Sequence, residues 1–255
     1  MLESLFPGGL SQDSLLGGTV NLAQPVGGYR VAVDPVLLAA AVRAEPGERV
    51  ADLGCGTGAV SLCLAARLPE CTVVALDRET DLAALTRANV AANAFTGRIA
   101  VVAGDIARLP FADGAFDHVA MNPPYLTAGR SSVPKERLRR VAAVEGAARL
   151  TDWLAAGLSL VRLGGTITLV HRADRLDHIV AIFRTLQTGG LSVSPVWPKP
   201  GREARRVIVR CRKGDRSPFA LLAGLTLHDA AGRFTPAAEK VLRGGQDLDT
   251  VLAPL

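Results

Sequence analysis

The chain has 255 residues, of which 49% are hydrophobic and 21% charged, and its formal net charge is +5 at neutral pH. This size and composition suit one large globular domain, alone or with a modest appendage. The first residues, MLESLFPGGL, lack the basic and apolar parts of a signal peptide, and no apolar run reaches the roughly 20 residues of a membrane span. The four cysteines form no C-x-x-C pair and no zinc-ligand spacing, so we expect a cytoplasmic protein with reduced thiols, no membrane partner and no metal.

Short apolar strands alternate with helix-like segments from about residue 48 onward. Before this region, Asp34 and Pro35 are residue types that cap and open a helix, and they precede the apolar run VLLAAAV. The alternation predicts an α/β fold in which a parallel sheet carries helices on both faces. The predicted strands are RVADL, TVVAL, IAVVA, FDHVAM and GTITLV, with helices such as TGAVSLCLAARL, RETDLAALTRANVAAN and DRLDHIVAIFRTLQ between or after them.

The end of the chain breaks this alternation. Two strand-like runs, LSVSPVW and ARRVIVRCR, are joined only by PKPGRE, which is too short for a crossover helix. We therefore expect a hairpin that closes the sheet with one antiparallel strand. The tail LTLHDAAGRFTPAAEKVL predicts a small hairpin followed by a terminal helix.

A glycine-rich segment, DLGCGTG, lies where the first strand of the alternating region turns into its helix. Glycines such as Gly54 and Gly56 allow a sharp turn and a close approach of the backbone to a nucleotide-like ligand. Asp77 ends the next strand, at the distance along the chain where an acidic residue binds ribose hydroxyls. After the third strand, the segment Gly104-Asp105-Ile106 adds a candidate carboxylate for the adenine amino group, although Asp105 would equally suit a helix N-cap.

The acidic residues help to choose between the ligands that such a glycine pattern accepts. The pyrophosphate of NAD would be repelled by Asp52, directly before the loop, whereas a cationic ligand would be attracted. S-adenosylmethionine is such a ligand, since it carries a sulfonium and an amino group. The residues therefore favour S-adenosylmethionine as cofactor, with an NAD-dependent oxidoreductase and a ligand-free turn as alternatives.

The fourth strand ends in AMNPPY, and this loop suggests a reaction. Pro123 and Pro124 remove two backbone donors and stiffen the loop, which holds its carbonyls and side chains in fixed positions. An amino group on a planar base, or an amide nitrogen, is a poor nucleophile because its lone pair is delocalised. The carbonyls of Asn122 and Pro123 can accept from its two N–H bonds and expose the lone pair, while Tyr125 offers a face for stacking.

Taken in order, DLGCGTG, the strand end at Asp77, GDI and NPPY resemble the class I S-adenosylmethionine-dependent N-methyltransferases, over about residues 20–245. The resemblance implies a Rossmann-like α/β fold with a mostly parallel seven-stranded sheet, one antiparallel strand and helices on both faces. It implies that Asn122, Pro123 and Tyr125 are catalytic, because in that family the loop binds the target amino group and stacks on the flipped target. It implies cofactor contacts for Asp52, Gly54, Gly56, Asp77, Asp105, Ile106 and Asn122.

The N-terminal stretch LLGGTVNLAQPVGGYRVAVDPVLLAA and the tail resemble one bacterial branch, which methylates N6 of an adenine beside the anticodon of a valine tRNA. In that branch the segment matching residues 24–34 closes over the pocket, which implies cofactor contacts for Tyr29 and Asp34, although Tyr29 would equally suit a packed strand residue. Phe234 stands where the branch suggests tyrosine. We expect three units: an N-terminal segment over residues 1–45 covering the pocket, a catalytic domain over residues 46–216, and a C-terminal hairpin and helix over residues 217–255 packed on that domain.

Two basic segments suggest a polyanionic partner, although an arginine-rich solvated surface would have the same composition. Residues 130–149 and 199–216 together carry a net charge of +10, against −5 for the rest of the chain. Combined with the resemblance, this predicts tRNA as the partner. His118 and His171 lie on predicted strands and are interpreted as structural or incidental. The candidate substrate-binding residues are Pro124, Arg130, Lys135, Arg137 and Arg205.

Several activities are compatible with an NPPY loop. The leading hypothesis is methylation of adenine N6 in tRNA. The same chemistry would also serve another RNA base, such as guanine N2 or adenine N6 of ribosomal RNA, or a protein glutamine N5. A non-catalytic RNA-binding protein on the same fold is the alternative from a different class.

Overall fold

A mostly parallel sheet runs through the computed structural model, which describes residues 2–27, 30–125 and 148–253. In chain order the strands are β1 (Leu10–Leu15), β2 (Val20–Pro25), β3 (Arg49–Leu53), β4 (Thr72–Asp77), β5 (Ile99–Ala103), β6 (Phe116–Met121), β7 (Val161–Arg172), β8 (Gly189–Trp197), β9 (Arg206–Arg212), β10 (Ala220–Leu221) and β11 (Leu225–Thr226). The central part has the order β5-β4-β3-β6-β7-β9-β8, and only β9 runs antiparallel to its neighbours. This confirms the predicted seven-stranded sheet and its closing hairpin.

The two-residue strands β10 and β11 extend the sheet beyond the prediction. Each pairs in parallel with β8, which brings the sheet to nine strands. Strands this short carry no hydrophobic pattern of their own, so a sequence pattern cannot reveal them. The fold class is unaffected by the additional edge strands.

Helices cover both faces of the sheet, as the alternation predicts. The described helices are α1 (Leu2–Leu5), α2 (Asp34–Ala41), α3 (Ala59–Arg67), α4 (Thr80–Ala92), α5 (Leu150–Leu160), α6 (Leu176–Thr185), α7 (Pro236–Leu242) and α8 (Leu248–Leu252). One hydrophobic core lies between the sheet and α2, α3 and α7, where Leu37 and Leu62 are fully buried. A second core lies under α5 and α6 on the opposite face, around Leu154 and Phe183.

The antiparallel β1–β2 hairpin is attached to α4 by two asparagine side chains one helical turn apart. Asn89 accepts from Ala23 N at 2.9 Å and donates to Ala23 O at 3.0 Å, and Asn93 bonds the backbone of Asn21 in the same way at 2.8 and 2.7 Å. Asn89 also donates to Thr57 O at 2.9 Å. The two amides thus pair with β2 as a neighbouring strand would, and they hold the N-terminal hairpin beside the glycine loop.

One local prediction needs correction. The residue before α2 is Val33, and Asp34 is the first helical residue, whose side chain makes no capping bond. The predicted helix of the tail is present as α7, and a further short helix, α8, follows it after Gly244 and Gly245. The small hairpin before them is present as an antiparallel bridge between His228 and Phe234, whose rings stack with centroids 4.7 Å apart. The division of the chain into three units stays a prediction.

The parallel strands bring distant loops to one edge of the sheet. Leu53 pairs with both Leu76 and Met121, and Asp77 pairs with Ala103, so β3, β4, β5 and β6 end at nearly the same level. The loops that follow these strands therefore meet, as expected at the carboxyl ends of an open α/β sheet. No helix of the described residues is long and apolar enough to cross a membrane.

Candidate active site

The carboxyl edge of the sheet brings the glycine loop and the NPPY loop together. The glycine loop follows β3, and Asn122 follows β6, which is paired directly with β3. On the other side of β3, Asp77 ends β4 and Asp105 follows β5. Four motifs separated along the chain therefore surround one place at the edge of the sheet.

The glycine loop depends on glycine for both its backbone and its surroundings. Gly54, Gly56 and Gly58 all have positive φ angles, of 71°, 58° and 87°. A Cβ atom at Gly54 would lie 2.5 Å from the ring of Trp153, which leaves no room for a side chain. A Cβ atom at Gly56 would meet no atom within 4 Å, so this residue presents its backbone to open space. The loop thus has one closed side and one side that a ligand can approach.

Asp77 is 8% exposed and supports the loop from β4. Its Oδ2 accepts from Gly56 N at 2.8 Å and its Oδ1 accepts from Glu79 N at 2.9 Å. Burial raises the pKa of this carboxyl group, although the two backbone hydrogen bonds oppose the rise. Each oxygen keeps a further lone pair, which a ribose hydroxyl can use.

The Asp52 side chain is almost completely buried beneath the glycine loop. It is 1% exposed, and its Oδ2 accepts from both the backbone N and the side-chain Oγ of Ser61, at 3.1 and 2.6 Å. Burial raises its pKa to about 7, against the lowering effect of the Ser61 bonds. Asp52 therefore fastens the first turn of α3 to β3, and its influence on a ligand is through charge.

The electrostatics of this region suit a cation. Within the described parts of the chain, neither Asp52 nor Asp77 forms an ion pair, and the nearby Arg78 pairs with Glu79 instead, at 3.3 Å. A sulfonium and an ammonium group would supply the missing positive charge, whereas a pyrophosphate would add to the repulsion. The residues present thus fit S-adenosylmethionine. The described residues contain no group of three His, Cys, Asp or Glu side chains that could hold a metal ion.

Asp105 and Ile106 lie in the turn after β5, the strand that pairs with β4 and Asp77, whereas Trp153 lies against Gly54 on the closed side of the glycine loop. Asp105 is exposed, and its Oδ1 accepts from Ala107 N at 2.9 Å, so it caps the short 3-10 turn that follows β5. Ile106 and Trp153 are half-buried and pack on the second core. The indole was not predicted as part of the site, because nothing in its local sequence separates it from an ordinary core residue of an amphipathic helix.

In the NPPY loop, Tyr125 is held by several neighbours. Its hydroxyl lies 2.6 Å from Oδ1 of Asn122 and 2.9 Å from Oδ2 of Asp34. Arg206 donates from Nε to the same Oδ2 at 2.8 Å, and its guanidinium lies 4.8 Å from the centroid of the Tyr125 ring. His171 meets the ring edge-on, with centroids 5.1 Å apart. Pro123 is buried and Pro124 half-buried beside them.

The structure adds contacts for two residues considered above. Asp34, whose cofactor contact stays a prediction, pairs with Arg206 and Tyr125 in a position that is 3% exposed. His171, interpreted as incidental, touches the Tyr125 ring, and burial together with the surrounding arginines lowers its pKa to about 4. His118 is structural as interpreted, since its ring nitrogens lie 2.7 Å from Thr166 and Glu48 oxygens.

Of the predicted substrate-binding residues, Arg205 is exposed directly before β9, next to Arg206. Arg206 itself was not singled out, because it is one arginine among eight basic residues in its segment. Tyr29, Arg130, Lys135 and Arg137 lie outside the described residues. The site assignments remain predictions, with the best geometric support for the NPPY loop, Asp77 and the glycines.

Known proteins with similar sequences and structures are methyltransferases. The Methyltransferase small domain family matches residues 31–143. The chain is 30% identical over 214 residues to the tRNA1(Val) (adenine(37)-N6)-methyltransferase of Aeromonas salmonicida, covering 81% of this chain and 85% of the relative. It is 29% identical over 219 residues to the enzyme of the same name from Porphyromonas gingivalis, covering 81% and 84%. A crystal structure described as a predicted O-methyltransferase, from Agrobacterium tumefaciens, has a TM-score of 0.69 at 28% identity, covering 84% of this chain and 96% of its own.

The sheet order, the glycine loop with its two carboxylates and the adjacent NPPY loop define a class I S-adenosylmethionine-dependent methyltransferase. S-adenosylmethionine is accordingly the methyl donor. Within this class, the chain belongs to the family of tRNA1(Val) (adenine(37)-N6)-methyltransferases.

Proposed function

We propose that this enzyme transfers a methyl group to N6 of an adenine in tRNA, beside the anticodon of a valine tRNA. The observation that carries the proposal is the meeting of the glycine loop with Asn122, Pro123 and Tyr125 at one edge of the sheet. The curated relatives described above support the choice of adenine and of tRNA. A tRNA substrate also implies that the enzyme acts in the cytoplasm.

The NPPY loop would hold the target amino group for in-line attack. The side-chain oxygen of Asn122 and the backbone oxygen of Pro123 accept from the two N–H bonds of N6, which biases the nitrogen toward a geometry with an available lone pair. Tyr125 stacks on the flipped base, which contributes roughly 1–3 kcal/mol per base. The bound cofactor supplies the electrophilic methyl group. After transfer, the methylated nitrogen is cationic and loses its extra proton to solvent, so no strong base is required.

The Tyr125 hydroxyl constrains the orientation of the Asn122 amide. It carries one hydrogen and cannot donate to the oxygens of Asn122 and Asp34 together. When the amide is turned by half a rotation, its NH2 group donates to the Tyr125 oxygen and Tyr125 donates to Asp34. The Asn122–Tyr125 and Tyr125–Asp34 hydrogen bonds then each have their own hydrogen atom. In this orientation, Oδ1 of Asn122 faces away from Tyr125. We infer that this is the active orientation, because it leaves that oxygen available to the target.

The test is methylation of a defined RNA. We expect an unmodified valine tRNA transcript to yield N6-methyladenosine in nucleoside mass spectrometry after incubation with enzyme and S-adenosylmethionine. A transcript with guanosine in place of the adenine beside the anticodon should remain unmodified. Asn122→Ala should lose methylation but keep its thermal stabilisation by S-adenosylmethionine. Label that persists in protein after RNase treatment would instead indicate a glutamine substrate and overturn the proposal.

A further inference from the structure

The turn between β8 and β9 carries three exposed cations. Lys199, Arg202 and Arg205 are exposed, and among the described residues none of them forms an ion pair. We call these three residues the basic turn. Two backbone hydrogen bonds hold the turn, from Arg202 N to Lys199 O and from Arg205 N to Val196 O, both at 3.2 Å. The backbone is therefore ordered without any help from the three side chains.

The other basic residues between positions 199 and 216 either form internal contacts or lie far from the active site. Arg206 pairs with Asp34 at 2.8 Å and Arg210 with Asp249 at 2.7 Å, so both serve internal contacts. Lys213 donates to the backbone oxygens of Leu158 and Val161, at 2.7 and 2.8 Å. Arg212 and Arg216 lie at the far end of β9, at the edge of the sheet opposite the active site. The positive charge of residues 199–216 is thus divided by the fold, and in this segment only the basic turn combines a position at the active-site edge with the lack of an ion pair to any described residue.

The basic turn lies at the same edge of the sheet as the NPPY loop. Arg205 directly precedes Arg206, whose guanidinium lies over the Tyr125 ring. In the sheet, Arg206 pairs with Arg172 at the carboxyl end of β7, the strand beside β6 that leads into the NPPY loop. An RNA strand that places a base on Tyr125 would bring its neighbouring phosphates toward this edge of the sheet.

We propose that the basic turn binds the phosphates of the nucleotides that flank the target adenine, which rests on the proposed function. Long, unpaired cations on an ordered turn match a phosphate backbone, and each such contact releases counterions from the RNA. Contacts of this kind fix the position of the strand without reading its sequence. The basic turn therefore acts on RNA affinity, and the NPPY loop acts on the chemical step.

The experiment compares two triple variants of the full-length enzyme with the same change in charge. The test variant is Lys199→Ala, Arg202→Ala, Arg205→Ala. The control is Arg184→Ala, Arg212→Ala, Arg216→Ala, whose residues are exposed and end α6 and β9 at the opposite edge. We expect the test variant to raise KM for valine tRNA about tenfold. We also expect it to flatten the slope of log affinity against log salt by about 2, as three lost phosphate contacts predict.

The turnover at saturating tRNA and the affinity for S-adenosylmethionine should stay at parental values in both variants, and the control should keep the parental KM and salt slope. Equal effects of the two variants, or an unchanged KM and salt slope in the test variant, would overturn the role of the basic turn while leaving the proposed function intact. A parental enzyme that binds S-adenosylmethionine but methylates only a glutamine in a protein would overturn both.

Discussion

The Tyr125 hydroxyl lies 2.6 Å from the side chain of Asn122. The residue predicted to stack on the target base thus also contacts the residue predicted to hold its amino group. The same hydroxyl reaches Asp34, whose carboxylate is bound by Arg206. Stacking, amide orientation and a buried ion pair are therefore connected in one small network.

Removing only the Tyr125 hydroxyl should slow the chemical step. In Tyr125→Phe the ring still stacks, but the amide of Asn122 loses the bond that orients it. Since one neutral hydrogen bond contributes about 0.5–1.5 kcal/mol, we expect kcat to fall roughly three- to tenfold with KM for tRNA nearly unchanged. Tyr125→Ala serves as the comparison and should raise KM as well. Single-turnover kinetics check both, and an unchanged kcat in Tyr125→Phe would contradict the orienting role.

Breaking the Asp34–Arg206 pair should destabilise the fold. Arg206→Gln leaves the Asp34 carboxylate, 3% exposed, without its cation. We expect a loss of about 2 kcal/mol in the free energy of unfolding, below the 3–5 kcal/mol of a fully buried pair because the Arg206 side chain is 32% exposed. The double variant Asp34→Asn, Arg206→Gln should recover most of the free energy of unfolding that Arg206→Gln loses. Urea denaturation of both single variants and the double variant measures this coupling, and additive effects would show that the pair is not coupled.

Trp153 should report cofactor binding. The chain has two tryptophans, so Trp197→Phe leaves Trp153 as the single indole. Because its ring lies against Gly54, we expect S-adenosylmethionine to change its fluorescence in a saturable way. Gly54→Ala should weaken this binding, since the new Cβ atom would fall 2.5 Å from the indole at a residue with a φ of 71°. The control is Trp153→Phe, which keeps Trp197. Its fluorescence should change little when S-adenosylmethionine is added.

Cofactor affinity should rise with pH. The pKa of Asp52 is about 7 and that of Asp77 is raised, both through burial, so each carboxyl group becomes more negative as the pH increases. A cationic ligand stabilises the charged form, and its binding releases protons. We expect calorimetry between pH 5.5 and 7.5 to show tighter binding of S-adenosylmethionine at the higher pH. S-adenosylhomocysteine, which has no sulfonium, should show a smaller trend, and equal trends would argue against this electrostatic basis.

His171 should make the fold sensitive to acid. Its pKa is lowered to about 4 in the folded state, so below its unfolded value near 6.5 the unfolded chain binds the additional proton. Stability should then fall as the pH drops from 6.5 to 4, by up to about 1.4 kcal/mol per pH unit. Asp52 acts in the opposite direction, because its raised pKa favours folding at low pH. As the pH falls, the free energy of unfolding of His171→Phe should rise relative to that of the parent, and that of Asp52→Asn should fall relative to it. Urea denaturation across this pH range measures both differences, and profiles parallel to that of the parent would contradict the two pKa shifts.

The sequence patterns determined the general fold and the main motifs of this protein. Strand and helix periodicity predicted the sheet, and a six-residue link predicted the antiparallel β8–β9 hairpin, because short links permit no other pairing. Glycine and proline have strong local backbone preferences, so the glycine loop and the NPPY loop were recognisable from their residues alone.

The tertiary structure decided which distant side chains complete the site. Asp34 and Tyr125 are separated by 91 positions along the chain and Asp34 and Arg206 by 172, so no local pattern links them. No local pattern links Trp153 to Gly54 either, or the asparagines of α4 to the β2 backbone that they bind. Local preferences set backbone conformation one segment at a time, whereas these contacts depend on sheet order and register. That is why the composition of residues 199–216 presented only a basic segment, and the folded sheet separated Arg206 and Arg210, which form internal ion pairs, from the exposed cations of the β8–β9 turn.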